Sequence, residues 1–149
     1  YTEETAGPDT AAHLDIPPEA PVLRRLLVVA VHNIPQAMMI SYTPLGTVAG
    51  TPLMDPRLEP YPGGWRAAVE DHLGIRISTI PLRVDVRPPT REEARLLRLQ
   101  LTDRVYALWS ALETADGQVI ETALSIYPTD RWVISGTVDV DRLREGRQP

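Results

Sequence analysis

The chain has 149 residues, 43% hydrophobic and 23% charged, enough to bury one core of ordinary size without staples. It has no cysteine, which excludes a disulfide framework and thiolate chemistry and fits a reducing cytoplasm, the expected location. A net charge of −5 argues against this segment gripping nucleic acid. The longest apolar run, Leu26 to Val31, is too short to span a bilayer, so no membrane partner is expected.

Residues 1–19, with Gly7-Pro8 and Pro17-Pro18, carry no sustained apolar periodicity and are read as a linker, with some helix near Asp9 to Leu14. Because the chain starts at Tyr1 rather than Met, it is read as a piece of something longer. Val22 to Val31 is a strand whose two faces are both largely apolar, expected to be covered on both sides. His32-Asn33 makes a tight turn into a second strand, Gln36 to Thr43, ended by Pro44. Leu45 to Gly64 is irregular, broken by Pro52, Pro56, Pro60 and Pro62. Trp65, Ala68, Val69, His72 and Leu73 form one helical stripe, and Gly74 is placed to cap it.

Ile75 to Val86 reads as a third long strand, with Pro81 marking an edge or a bulge. Thr90 and Glu93 form a capping box for a second helix whose Ala94, Leu97 and Leu101 face the core. Val105 to Thr114 and Gln118 to Tyr127 flank Ala115-Asp116-Gly117 as a hairpin, and a last strand is expected from about Trp132 to Val140. Residues 141–149 read as a frayed tail. The fold class is α+β: an antiparallel β-sheet of about six strands flanked by helices, occupying residues 20–140.

Phosphate-loop and dinucleotide motifs are absent. His13, His32 and His72 stand on separate elements at no ligand-like spacing, so no metal site or cofactor is expected; His72 reads as a packed structural histidine. No serine lies in a nucleophile-elbow context, and no catalytic residues are assigned. In the segment Gln118 to Tyr127, Ile120, Thr122, Leu124 and Ile126 share one face, plainly core. Glu121, Ala123, Ser125 and Tyr127 share the other, which suits either the floor of a ligand pocket or a half-exposed sheet face. Arg83, Asp85 and Arg87 also share a face: an anion-binding pair, or a self-neutralising surface row.

From about Ala11 to Ile134 the chain resembles the UTRA domain, the effector-sensing domain of the HutC subfamily of GntR-type regulators, and is nearest its actinobacterial branch. The resemblance lies in Ala20-Pro21-Val22-Leu23-Arg24-Arg25, Ile40-Ser41-Tyr42-Thr43-Pro44, Gly63-Gly64-Trp65 and Leu73-Gly74-Ile75. It continues in Val86-Arg87-Pro88-Pro89-Thr90-Arg91-Glu92-Glu93-Ala94, Asp116-Gly117-Gln118-Val119-Ile120-Glu121 and Tyr127-Pro128-Thr129-Asp130-Arg131. It implies a chorismate-lyase-like fold, a small-molecule effector bound beside the sheet, a homodimer, no catalysis, and DNA contacted only through a winged helix-turn-helix domain preceding Tyr1.

By the same resemblance, Glu121 and Tyr127 take the places of the family's ligand-contacting glutamate and tyrosine, and Ser41-Tyr42 forms a pocket edge. Sugar-phosphate-sensing members carry an R-x-R on the first strand and a glutamate on the second. Counting from Pro35, those places hold Val29, Leu27 and Met39 here. A phosphate would find little there to replace its water. The expected effector is therefore not a sugar phosphate but a more apolar molecule on Leu27, Val29 and Met39, oriented by Glu121 and Tyr127. Arg83 or Arg87 would meet any carboxylate on it. A ligand-free dimerisation module and a chorismate-lyase-like enzyme remain as alternatives.

Overall fold

The structure, a computed structural model, describes residues 1–137. Its centre is a six-stranded antiparallel sheet in the order β1-β2-β3-β6-β5-β4. The strands are β1 (Thr2–Thr5), β2 (Pro21–Val31), β3 (Ile34–Pro44), β4 (Leu82–Arg87), β5 (Val105–Glu113) and β6 (Val119–Pro128). The helices are α1 (Pro8–Leu14), α2 (Leu45–Val48), α3 (Gly64–Leu73) and α4 (Arg91–Leu97), with two 3₁₀ turns at Pro52–Met54 and Pro56–Leu58.

Local chemistry accounts for most of these boundaries. His32 and Asn33 both adopt positive φ (48° and 61°), the conformation that matches the twist of a two-residue β2–β3 hairpin. Gly74 closes α3 at φ 66°, its N–H donating to Glu70 O at 3.0 Å. At α4 the Glu93 amide donates to Thr90 Oγ1 (3.2 Å), and the Thr90 amide donates to Glu93 Oε2 (2.8 Å), so the capping box is complete.

Cores lie on both sides of the sheet. On one face Leu23, Leu112 and Ile120 pack against Val48, Leu53, Trp65 and Val69 from α2, the 3₁₀ turn and α3. The register shift between Leu112 and Glu113 turns Ile120 onto this face, away from Thr122, Leu124 and Ile126 with which alternation grouped it. On the other, α4 sets Leu97 against Met38, Val105, Ala107 and Ile126, while α1 sets Ala11 and Leu14 against Val22. The first face is covered only toward the Leu23 end of β2, since Val28 to Val31 are exposed. Full coverage of that strand therefore ends near Leu27, where the helical layers end.

Several expectations need correcting. Residues 2–5 are not linker: they form β1, and α1 brings Ala11 and Leu14 into the core. The polar Thr-Glu-Glu-Thr run is held by pairing with Pro21 to Arg24 and hides no side chain, so it leaves no hydrophobic signature. The strand expected from Ile75 is confined to Leu82–Arg87, with one isolated bridge from Thr79 to Glu113, because Pro81 has no N–H for a ladder. Leu101 lies beyond the end of α4 and is exposed. Residues 132–137 form no strand, and the remainder of that expected strand, like the 141–149 tail, lies outside the described residues.

Candidate functional site

β3 and β6 pair from Met38 to Tyr42 against Thr122 to Ile126, and the ladder stops there. Pro35 cannot donate to a neighbour. The open carbonyls of β3 are met instead by side chains from the turn after β6. Arg131 Nη1 donates to Pro35 O (2.6 Å) and to Leu97 O (3.1 Å), and Trp132 Nε1 donates to Gln36 O (2.7 Å). Beside this fork lies a depression of about 230 Å³ lined by Leu27, Val29, Ala37, Met38, Met39, Ser125, Tyr127 and Trp132.

Register explains its make-up. Leu27 pairs with Met39 and Met39 with Ser125, so one row crosses three strands on the same face. The Tyr127 ring meets Trp132 edge-on at 4.9 Å between centroids. Of the residues expected to bind ligand, Leu27, Val29, Met39, Ser125 and Tyr127 come together here. The lining is apolar apart from the Ser125 and Tyr127 hydroxyls and the backbone. Such a surface holds an uncharged body by burial and orients it with one or two hydrogen bonds.

Glu121 and Ser41 lie on this face but belong to a different arrangement. Arg25, fully buried, pairs in register with Ser41 and donates from Nε to Ser41 Oγ (3.1 Å). Its Nη2 donates to Glu121 Oε1 and its Nη1 to Glu59 Oε1, both at 2.6 Å. Below the guanidinium is the Trp65 ring, 3.3 Å from Cζ to centroid. Tyr1 OH donates to Glu59 Oε1 at 3.2 Å, tying the first residue to the cluster. Burial pushes the Glu121 carboxyl above the ordinary carboxylate value, against the pull of Arg25. One Glu121 oxygen is thus committed to Arg25 and unavailable to orient a ligand.

The remaining expected residues are elsewhere. Tyr42, adjacent to Ser41, points to the opposite face, where it lines a depression of about 170 Å³ with Thr10, His13 and Trp109. Arg83 pairs with Trp109, and through Leu124 and Ile40 this row also belongs to that opposite face. The sheet therefore separates Arg83 and Arg87 from the Leu27–Met39–Ser125 row. Arg87 is further engaged by Glu93, its Nη1 and Nη2 each donating at 2.8 Å. Burial favours a neutral Glu93, but Arg87 and the Thr90 amide and hydroxyl together hold its carboxyl below the usual value.

Sequence reading placed none of Arg25, Trp65 and Trp132 in the site. Arg25 did carry a signal: it is in phase with Leu23 and Leu27 on an apolar strand, and a cation in a core phase calls for a partner. His72 packs edge-on against Tyr61 at 5.6 Å. Among the described residues no group of three or more His, Cys, Asp or Glu side chains is placed to hold a metal ion. Nor, among them, is any helix long and apolar enough to cross a membrane.

Solved structures share this fold. The C-terminal domain of Yurk from Bacillus subtilis superposes with a TM-score of 0.80 at 17% identity, covering 92% of each chain. The effector domain of PhnF from Mycobacterium smegmatis does so at 0.73 and 21%, over 93% of this chain and 82% of that one. The UTRA domain family model matches residues 1–132, and the chain belongs to that family. It is 30% identical over 130 residues to an uncharacterized HTH-type transcriptional regulator of Streptomyces coelicolor. That match takes in 87% of this chain but 48% of the relative, so the chain spans about half of the relative's length.

Proposed function

We propose that this chain is the effector-sensing and dimerisation domain of a GntR-type regulator of the HutC subfamily, acting in the cytoplasm. DNA is contacted by a separate winged helix-turn-helix domain of the same protein, and binding is not followed by turnover. The effector is an uncharged or weakly polar small molecule, not a sugar phosphate, seated on Leu27, Val29 and Met39 and oriented by Ser125 and Tyr127. The depression at the fork carries this reading: it gathers these five side chains and contains no cation.

Trp132 supplies the regulatory connection. It walls the depression and holds the Gln36 carbonyl, so an occupant touching it changes the pairing at the fork. Effector and operator binding are coupled if the two arrangements of that turn differ in affinity for the ligand. One observation favours the runner-up, a domain that dimerises without a ligand: Glu121 is engaged by Arg25.

A thermal-shift titration separates them. Cyclohexanol and longer alcohols represent the neutral class, and glucose 6-phosphate the charged one. A ligand at a hundred times its dissociation constant adds about 2.7 kcal/mol of stability. The neutral series is expected to raise the melting temperature, and Met39→Trp, which fills the depression, to abolish the rise. Stabilisation by the sugar phosphate alone would overturn the effector class, and no stabilisation by either would favour the ligand-free module.

A further inference from the structure

β4 is an edge strand: among the described residues no strand lies beyond it. Its side chains alternate sharply. Leu82, Val84 and Val86 are 63, 44 and 55% exposed on one face, and Arg83, Asp85 and Arg87 stand on the other. Pro81 O accepts from Ala111 N, so the odd-numbered residues bond inward to β5. The even-numbered ones direct their N–H and C=O groups to the open edge. Consistent with this, the Val86 amide donates to its own neighbour's Asp85 Oδ1 (2.8 Å) rather than to a strand.

We propose that this edge pairs with β4 of a second copy, antiparallel, on a two-fold axis through Val84. This rests on reading the chain as a dimerising domain and adds where and in what register. Three antiparallel registers centre the contact on this strand, and charge separates them. With the axis at Val84, each Arg83 faces Asp85 of the other copy, twice over by symmetry, and Leu82 faces Val86. A shift of one step sets Asp85 against Asp85 and Arg83 against Arg87; the opposite shift sets Arg83 against Arg83. Arg87 is already neutralised by Glu93, so Arg83 and Asp85 are the charges that decide. Like charges directly opposite are destabilising, and this discrimination sets register more than affinity.

The hydrogen bonds also balance. On pairing, the Val86 amide exchanges Asp85 for the Leu82 carbonyl of the other copy, which releases the Asp85 carboxylate to meet Arg83. Apolar Leu82, Val84 and Val86 are brought together with their counterparts on the exposed face. The opposite edge, β1, offers no such match: its Thr-Glu-Glu-Thr run would set glutamates of two copies close together.

Sedimentation equilibrium on the full chain tests this with charge swaps. Wild type is expected to be a dimer. Arg83→Asp and Asp85→Arg should each weaken it at least tenfold, and mixing the two at equal concentration should restore a heterodimer. The double swap should restore the homodimer. Because the chain has no cysteine, Val84→Cys gives a single thiol pair on the axis at a Cα separation of about 5.5 Å, inside the disulfide range. It should crosslink under mild oxidation while Leu82→Cys and Val86→Cys do not. A monomeric wild type would sink the dimerisation reading itself. A dimer indifferent to both single charge swaps, with no Val84→Cys crosslink, would leave that reading standing and overturn the β4 pairing.

Discussion

Replacing Arg25 by Met should be among the most damaging single changes in this chain. The guanidinium has no exposed surface, and the Glu121 side chain facing it is only 7% exposed. Removing the cation leaves Glu121 buried without a counter-charge, a loss of about 3–5 kcal/mol for a broken buried pair. Typical domains hold about 5–15 kcal/mol in total, so roughly a fifth or more of the stability would go. At about 2–4 °C per kcal/mol for a chain of this size, the melting temperature should fall by roughly 6–20 °C. Urea unfolding and a thermal melt, each followed by tryptophan fluorescence, measure the two quantities, since Trp65 lies against the guanidinium. The partner change discriminates the cause. Arg25→Met combined with Glu121→Met removes both charges and should recover most of the loss, because Glu59 is 20% exposed and can turn to water. The pH response has a definite sign as well. Without Arg25 the Glu121 carboxyl, already raised by burial, rises further above its unfolded value. An acid raised on folding contributes fully below its unfolded pKa and loses that contribution as pH climbs through the folded one. The single variant should therefore be least impaired near pH 4 and worsen toward pH 7. A cost below about 1 kcal/mol at pH 7, or a double variant as weak as the single, would refute the assignment of a buried charge cluster.

Thr90→Ala should cost about 1 kcal/mol by opening the α4 cap, measured by the same urea titration. Glu93 is depressed by Arg87 and Thr90, so its contribution is complete above its unfolded pKa and is lost as pH falls through the folded value; Glu93→Gln should flatten that acid limb in a stability-versus-pH series. Gly74→Ala meets no atom within 4 Å, yet its φ of 66° should still cost about 1 kcal/mol in a thermal melt. His32→Gly relieves a positive φ in the β2–β3 turn and should be neutral or slightly stabilising by the same measurement.

What the sequence made legible was local. The His32-Asn33 turn, the Trp65 stripe with its Gly74 cap, the Thr90–Glu93 box and the Asp116-Gly117 hairpin each declare themselves within a few residues. Six strands were expected and six exist among the described residues, one of them β1, which was not expected. A polar edge strand bonded through its backbone has no periodicity to detect. The site divides the same way. The Leu27, Val29 and Met39 row followed from the family resemblance, and the structure brings those three side chains together with Ser125 and Tyr127. The phase of Arg25 called for a partner, but its partners were not legible because Glu59 and Glu121 lie 34 and 96 residues away. Separation of Ser41 from Tyr42 was readable from alternation alone, yet pairing them as one pocket edge overlooked it.

The narrow seam between β3 and β6 has a kinetic consequence. On one side lie β1, β2 and β3, contiguous in the first 44 residues; on the other, β4, β5 and β6, contiguous from Leu82 to Pro128. Each trio pairs largely through near neighbours and can form quickly by itself, whereas the seam must close a long loop. Arg25 spans it, reaching from β2 past Ser41 on β3 to Glu121 on β6. Closing the seam should therefore set the folding rate. The amides between Met38 and Tyr42 should exchange with deuterium only when the whole domain opens, while those of β1 exchange first.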